Sequence, residues 1–191
     1  MSTYRASRSF RATDLRRFLG AVDRHLSSRA RIEIIGGCAA ALAHGATSAT
    51  TDVDTFTPTT AALQAAVARA VEETGLEITL AQSTVAEVPL GYEERLLRQL
   101  PELAQLEIWA LEKHDLVLSK ALRCYEHDLQ QLREIRDAQG LSFDTLVSRF
   151  IDEMDHVVGD PARIRSSFLL AIEELFGELK RIAAERRLGA R

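Results

Sequence analysis

The chain has 191 residues, 46% of them apolar and 27% charged, with a formal net charge of −4. That balance excludes a disordered segment, and the acidic sign excludes a protein that binds nucleic acid over its whole surface. No run approaches the roughly eighteen apolar residues of a membrane-spanning helix, and the length suits one sizeable domain, alone or with a small helical appendage.

The opening stretch "MSTYRASRSFRATDLRR" carries five arginines and no apolar signal-peptide core, so it predicts neither secretion nor membrane insertion. Those arginines could mimic a transit peptide, but they lead straight into an amphipathic helix. Arginines cluster again in "KRIAAERRLGAR", which leaves room for a local basic patch. The two cysteines, Cys38 and Cys124, form no metal or disulfide framework and suit a reducing cytoplasm.

In chain order, Thr13 to about Leu26 reads as a helix with Thr13 as N-cap and an apolar stripe of Leu15, Phe18, Leu19, Val22 and Leu26. "RIEII" reads as a buried strand that stops at Gly36-Gly37, and "CAAALAH" as a short helix closed by Gly45. "DVDTFT" is a second strand, ended by Pro58. Thr59 to Thr74 returns to helix, with Gly75 just beyond its end. "LEITLAQ", "VAEVPL" and "QLEIWAL" are three further strand candidates, and "GYEERLLRQLPEL" has no assigned type. From Asp115 onward the chain is helical. "HDLVLSKALRCYEHDLQQLREI" is one helix or two joined near Tyr125, and "FDTLVSRFIDEM" is another. A long last helix opens at Asp160-Pro161, an N-cap followed by proline, with a stripe of Ile164, Phe168, Ile172, Leu175, Leu179 and Ile182. The pattern predicts a mixed α/β front over residues 1–112 and a helical region over 113–191, packed as one compact unit.

Two features exceed what packing requires. Gly36-Gly37 between a strand and a helix is either a tight turn or a place where backbone N–H groups approach an anion, typically phosphate. Asp52-Val53-Asp54 on a strand puts two carboxylates on one face about 6–7 Å apart, with Val53 toward the core. Such a pair is either a turn cap beside a solvated acid or a divalent-cation site of the oxygen type that Mg²⁺ takes. Together they set a phosphate cradle beside a metal pair, as phosphoryl or nucleotidyl transfer requires. The five histidines lack zinc-ligand spacing.

"IIGGCAAALAHGATSATTDVD" resembles the polymerase-β-type nucleotidyltransferase signature: an apolar residue, Gly-Gly, a spacer, then Asp-x-Asp. The closer resemblance is to bacterial nucleotidyltransferase-like proteins related to AbiEii-type abortive-infection toxins. It is carried further by "GYEERL", by Asp-Leu, Ser-Lys and a later acid within "ALEKHDLVLSKALRCYEHD", and by Gly159-Asp160-Pro161. It spans about Ile32 to Phe176.

The resemblance implies an α/β (α+β) fold, a small mixed β-sheet nucleotidyltransferase core flanked by helices with a helical C-terminal half. It also implies Mg²⁺- or Mn²⁺-dependent transfer of a nucleotide from a nucleoside triphosphate. Asp52 and Asp54 match the metal pair; Gly36 and Gly37, with Cys38 and Thr50 beside the two motifs, match the nucleotide site. Lys120 matches a lysine facing the triphosphate, and Asp128 the acid after it. Glu107 has the placement of a third carboxylate, serving as metal ligand or general base, or it is an ordinary solvated glutamate. Cys38 is either a helix-start thiol or an inert buried one. This chain departs from the group at Ser48-Ala49-Thr50, where Arg-x-Thr is frequent. It departs again at His127, where arginine precedes the acid, and at Gln131, where a second acid stands. The expected acceptor is the 3′ end of a tRNA or a protein side chain, with a cognate antitoxin as a possible partner. An antibiotic nucleotidyltransferase shares the chemistry, and a non-catalytic nucleotide- or partner-binding domain of the same fold is the competing class.

Overall fold

A computed structural model describes residues 9–84, 86–123 and 125–189. Cys124 and the first eight residues, with two of the opening arginines, therefore lie outside the described residues. Two compact units are present. The first takes the chain up to residue 43, then 47–84 and 98–110; the second takes 44–46, 85–97 and 111 onward.

The first unit is a sheet with helices. Its elements are α1 (Ala12–His25), β1 (Ala30–Ile34), α2 (Gly36–Ala43), β2 (Asp52–Thr55), α3 (Ala61–Thr74), β3 (Thr79–Gln82), β4 (Leu97–Gln99) and β5 (Leu106–Ala110). The strand order is β3-β2-β1-β5-β4, with β1 antiparallel to β2 and parallel to β5, and β2 parallel to β3. This is the mixed α/β sheet expected from the sequence. Ile32, Ile34, Val53, Leu106, Ile108 and Ala110 are all fully buried, and the period of two puts them on one face. Phe18, Leu15, Leu19 and Val22 of α1 are buried as well, and α1 packs on α3 while touching β5. The opposite face carries Arg31, Glu33, Asp52, Asp54, Glu107 and Trp109, all half-buried or exposed.

Local chemistry sets the element ends. Thr60, not Thr59, caps α3 by accepting the Leu63 N–H at 3.2 Å, and Gly75 closes it in the left-handed conformation with φ +66°. The start of α1 falls before Thr13, at Arg11, whose N–H is taken by Asp14 at 3.1 Å. Asp23, at the far end of α1, reaches the start of β5. Its carboxylate accepts the N–H groups of Leu106 and Gln105 at 2.7 Å and of Ala104 at 3.2 Å. Burial pushes its pKa up, but these three donors outweigh that and hold it below the usual carboxylate range.

The second unit is helical: a 3₁₀ turn (Tyr92–Arg95), α4 (Lys113–Ala121), α5 (Glu126–Gln139), α6 (Phe143–Glu153), α7 (Pro161–Phe176) and α8 (Glu178–Gly189). Two sequence expectations change here, and one open alternative is decided. The described residues of "VAEVPL" form no strand; its Pro89 lacks the N–H a ladder needs. The helix after Asp115 is two helices, with Tyr125 as the N-cap of α5. The last helix is also two, because Gly177 adopts φ +85° and its N–H caps Glu173; Leu179, assigned to the buried stripe, is 84% exposed. The Asp160 cap holds as predicted, its carboxylate accepting the Ala162 N–H at 3.0 Å.

A buried ion cluster ties the second unit together. Asp115 of α4, with no exposed surface, accepts from Arg95 Nε at 2.9 Å and from Arg149 Nη1 of α6 at 2.8 Å. Arg149 also binds Glu112, and Arg95 binds Glu153 at 2.7 Å. The Ser142 N–H donates to His114 Nε2 at 2.9 Å, which leaves the ring proton on Nδ1 to donate to Glu112 Oε1 at 2.7 Å.

Glu112 supplies a pH prediction. Burial raises its pKa, but the hydrogen bonds from His114 and Arg149 and the Arg149 charge win and lower it from 4.5 to about 2. A folded pKa below the unfolded one gives stability that is full above about pH 4.5 and lost as pH falls toward 2. With its side chain 19% exposed, the shift corresponds to something on the order of 3 kcal/mol. Urea midpoints should fall steeply between pH 5 and 3, both about the Glu112 range, and Glu112→Gln should flatten that slope. Equal slopes in both proteins would disprove the assignment.

Candidate functional site

The site is built where β1, α2 and β2 meet. After β1 the chain turns at Gly36, whose φ of +63° is the left-handed region that side chains with a Cβ avoid. A Cβ placed there would stand 3.0 Å from Asp54 Oδ2. The glycine therefore meets two demands at once: the backbone turn into α2 and room for a carboxylate against the start of that helix. The helix begins at the glycine pair itself, so the pair forms its first turn and not a separate loop.

Asp54 is held at that place by the ladder. Its carbonyl accepts the Ile35 N–H at 3.0 Å, and Ile34 stands opposite Thr55. Val53 and Thr55 are fully buried while Asp52 and Asp54 are half-buried, so both carboxylates lie on the sheet face away from the core. The Thr50 hydroxyl lies 3.4 Å from Asp52 Oδ1, and Thr50 itself is buried and paired through its backbone with Phe10. Cys38, on the first turn of α2, is buried; burial first, then the charges of Asp54 and Asp52, push its thiol well above the usual range. That makes it a neutral packing group and removes the activated-thiol alternative.

Glu107 shares the face but not the place. In the parallel ladder it stands opposite Arg31, four residues along β1 from Ile35. Four residues of rise and two strand spacings put its Cα about 16 Å from that of Asp54. Its carboxylate lies 3.7 Å from Arg98, and it does not join the acidic pair. Among the described residues no group of three or more His, Cys, Asp and Glu is arranged to hold a metal ion. The donor set is thus two carboxylates of hard oxygen. That fits Mg²⁺, which keeps several waters and is bound by one or two carboxylates together with substrate phosphates.

In the second unit, Lys120 and Asp128 are brought together. Lys120 Nζ donates to Asp128 Oδ1 at 2.9 Å, and the two side chains are 2% and 0% exposed. Asp128 lies in the first turn of α5, and Arg123 Nη2 reaches the same oxygen at 3.1 Å. The guanidinium missing at position 127 is thus supplied from position 123, which sequence spacing alone does not show. His127 Nε2 stands 3.6 Å from that oxygen. Sequence reading also missed Arg95 and Arg149: the Asp-Leu motif flagged Asp115, but its two arginine partners lie 20 and 34 residues away.

A strand, a glycine-opened helix and a neighbouring antiparallel strand with Asp-x-Asp on the open face define a core of the nucleotidyltransferase class. The family model described as "Nucleotidyltransferase of unknown function (DUF6036)" matches residues 14–179. The chain belongs to that family. Neither the curated proteins nor the solved structures contain a match to it. No helix among the described residues is long and apolar enough to cross a membrane.

Proposed function

We propose that the protein transfers a nucleotide from a nucleoside triphosphate to an acceptor hydroxyl, releasing pyrophosphate, at the site formed by Asp52, Asp54 and the start of α2. The observation that carries this reading is the contact between Asp54 and Gly36, where a Cβ would come within 3.0 Å of the carboxylate. A helix start attracts phosphate, whereas a carboxylate repels it. The two fit one ligand when a divalent cation lies between them.

Asp52 and Asp54 would hold that Mg²⁺ or Mn²⁺. When bound, the ion would neutralise charge on the phosphate oxygens and so make the phosphorus more open to attack by the acceptor hydroxyl. Gly36 and Gly37 contribute the backbone N–H groups of the first helical turn. Thr50 sets the Asp52 side chain. The family match supports a nucleotide substrate. The finer elements of the proposal are kinship with AbiEii-type toxins, a tRNA 3′ end or protein acceptor, a cognate antitoxin and a cytoplasmic setting.

A second reading, a non-catalytic nucleotide- or partner-binding domain, is favoured by one specific observation: the register keeps Glu107 away from the acidic pair. The test is incubation with each labelled nucleoside triphosphate, Mg²⁺ and either total tRNA or cell lysate. Transfer predicts a labelled product that vanishes with EDTA. Triphosphate binding without any labelled product selects the second reading.

A further inference from the structure

The second unit contains a cleft of about 240 Å³ that the site described above does not use. Arg123 and Ser119 line it from one side, and Gly159 and Arg163 from another. Ser119 lies in the last turn of α4, and Arg123 in the turn that follows the helix. Leu122 and Ile164 supply apolar wall.

The charge arrangement is unusual for a surface cleft. Arg163 sits in the first turn of α7, where the helix dipole is positive and a cation is disfavoured. It nevertheless makes no hydrogen bond or ion pair among the described residues. Arg123 is oriented by the fully buried Asp128 at 3.1 Å, while its side chain stays 47% exposed. Two arginines thus line one small cleft. Two acids also line the cleft: Asp160 caps α7 through the Ala162 N–H, and Glu87 lies 4.0 Å from His156. Gly159, part of the Gly-Asp-Pro motif, lines the cleft and holds φ +150°, a backbone conformation that side chains with a Cβ rarely adopt.

From these observations we infer that the cleft binds a phosphate group of a nucleotide, with Arg163 and Arg123 as its guanidinium clamp and Ser119 as a hydroxyl donor. Guanidinium matches phosphate by paired charge-assisted hydrogen bonds. The volume is below the roughly 300–1,000 Å³ of a site that encloses a whole drug-sized ligand. It suits a phosphate with its attached sugar and leaves the base outside. The phosphate belongs either to a nucleotide or to an RNA, and the inference rests on the nucleotide-transfer reading only for that choice of ligand.

The experiment measures binding of three probes to the full chain: inorganic tripolyphosphate in EDTA, ATP with Mg²⁺, and a short single-stranded RNA. The variants are Arg163→Ala, Arg163→Glu and Arg163→Lys, all at an exposed position. Tripolyphosphate affinity should fall about tenfold in Arg163→Ala, further in Arg163→Glu, and recover in part in Arg163→Lys. The probe among ATP and RNA that loses affinity with Arg163 identifies the source of the phosphate. For RNA, the salt dependence should also flatten by about one counterion. Unchanged binding of all three probes in Arg163→Glu overturns the inference. A wild type that transfers no nucleotide, yet binds tripolyphosphate through Arg163, would remove the transfer reading and leave the cleft assignment standing.

Discussion

Asp54→Asn is expected to abolish nucleotide transfer while leaving the circular dichroism spectrum unchanged, and Asp52→Asn to do the same. Asparagine keeps the shape of the side chain and removes the charge that would hold a divalent cation against phosphate. Loss of one charge-stabilising group in a transfer site costs on the order of 10²–10³ in kcat. Glu107→Gln should change the rate less than about twofold, because the ladder puts residue 107 about 16 Å from Asp54. Gly36→Ala separates geometry from charge. It keeps both carboxylates but forces a Cβ to within 3.0 Å of Asp54 Oδ2, on a backbone at φ +63°. It should cost about 1–2 kcal/mol of stability and also reduce transfer, since Asp54 must shift. The comparison needs transfer rates and urea melts for the four variants. Wild-type rates in both Asn variants would sink the metal assignment, and a large loss in Glu107→Gln would mean that the third carboxylate is used after all.

What the sequence disclosed, and what it withheld, follows from the range of the interactions. β1, α2 and β2 were legible because their signals are local: the alternation in "RIEII", the glycine pair, and the aspartates two apart around a buried Val53. The shared face of Asp52 and Asp54 follows from the period of two alone. The position of Glu107 along that face does not. It depends on the register of β5 against β1, a pairing across more than seventy residues set by buried side chains on the other face, such as Ile32 opposite Ile108. The break between α7 and α8 was hidden for a related reason. The stripe to Leu179 and Ile182 keeps helical spacing through Gly177, and only the φ of that glycine reveals the interruption. The role of Arg123 is not legible in the sequence, because the local pattern points to residue 127, next to the acid. The fold instead delivers a guanidinium to Asp128 from five residues earlier, across the gap between α4 and α5.

Asp115→Ala is expected to destabilise the protein by about 3–5 kcal/mol, the range for breaking a buried ion pair from one side. Asp115 has no exposed surface, and its two oxygens receive Arg95 Nε at 2.9 Å, Arg95 Nη2 at 3.2 Å and Arg149 Nη1 at 2.8 Å. Alanine removes the shared counter-ion of two partly buried arginines. Each keeps one partner, Glu153 for Arg95 and Glu112 for Arg149, which argues for the lower half of that range. Even so, the loss is a large part of the roughly 5–15 kcal/mol that holds a domain folded. An exposed pair gives the contrast. Arg187 and Asp144 meet at 2.8 Å with side chains 39% and 83% exposed, and Asp144→Ala should cost about 0–1 kcal/mol. Asp115→Asn should fall between the two, since the amide accepts one of the guanidinium bonds but offers N–H groups to the other. Urea denaturation at neutral pH measures all three variants. If Asp115→Ala loses no more than Asp144→Ala, the cluster is not what ties α4 to α6 and the 3₁₀ turn. If the loss is as expected, the Asp-Leu motif is a structural fastening of the helical unit. A fall in transfer activity in this variant would then be read from the folded fraction before any catalytic role is given to Asp115.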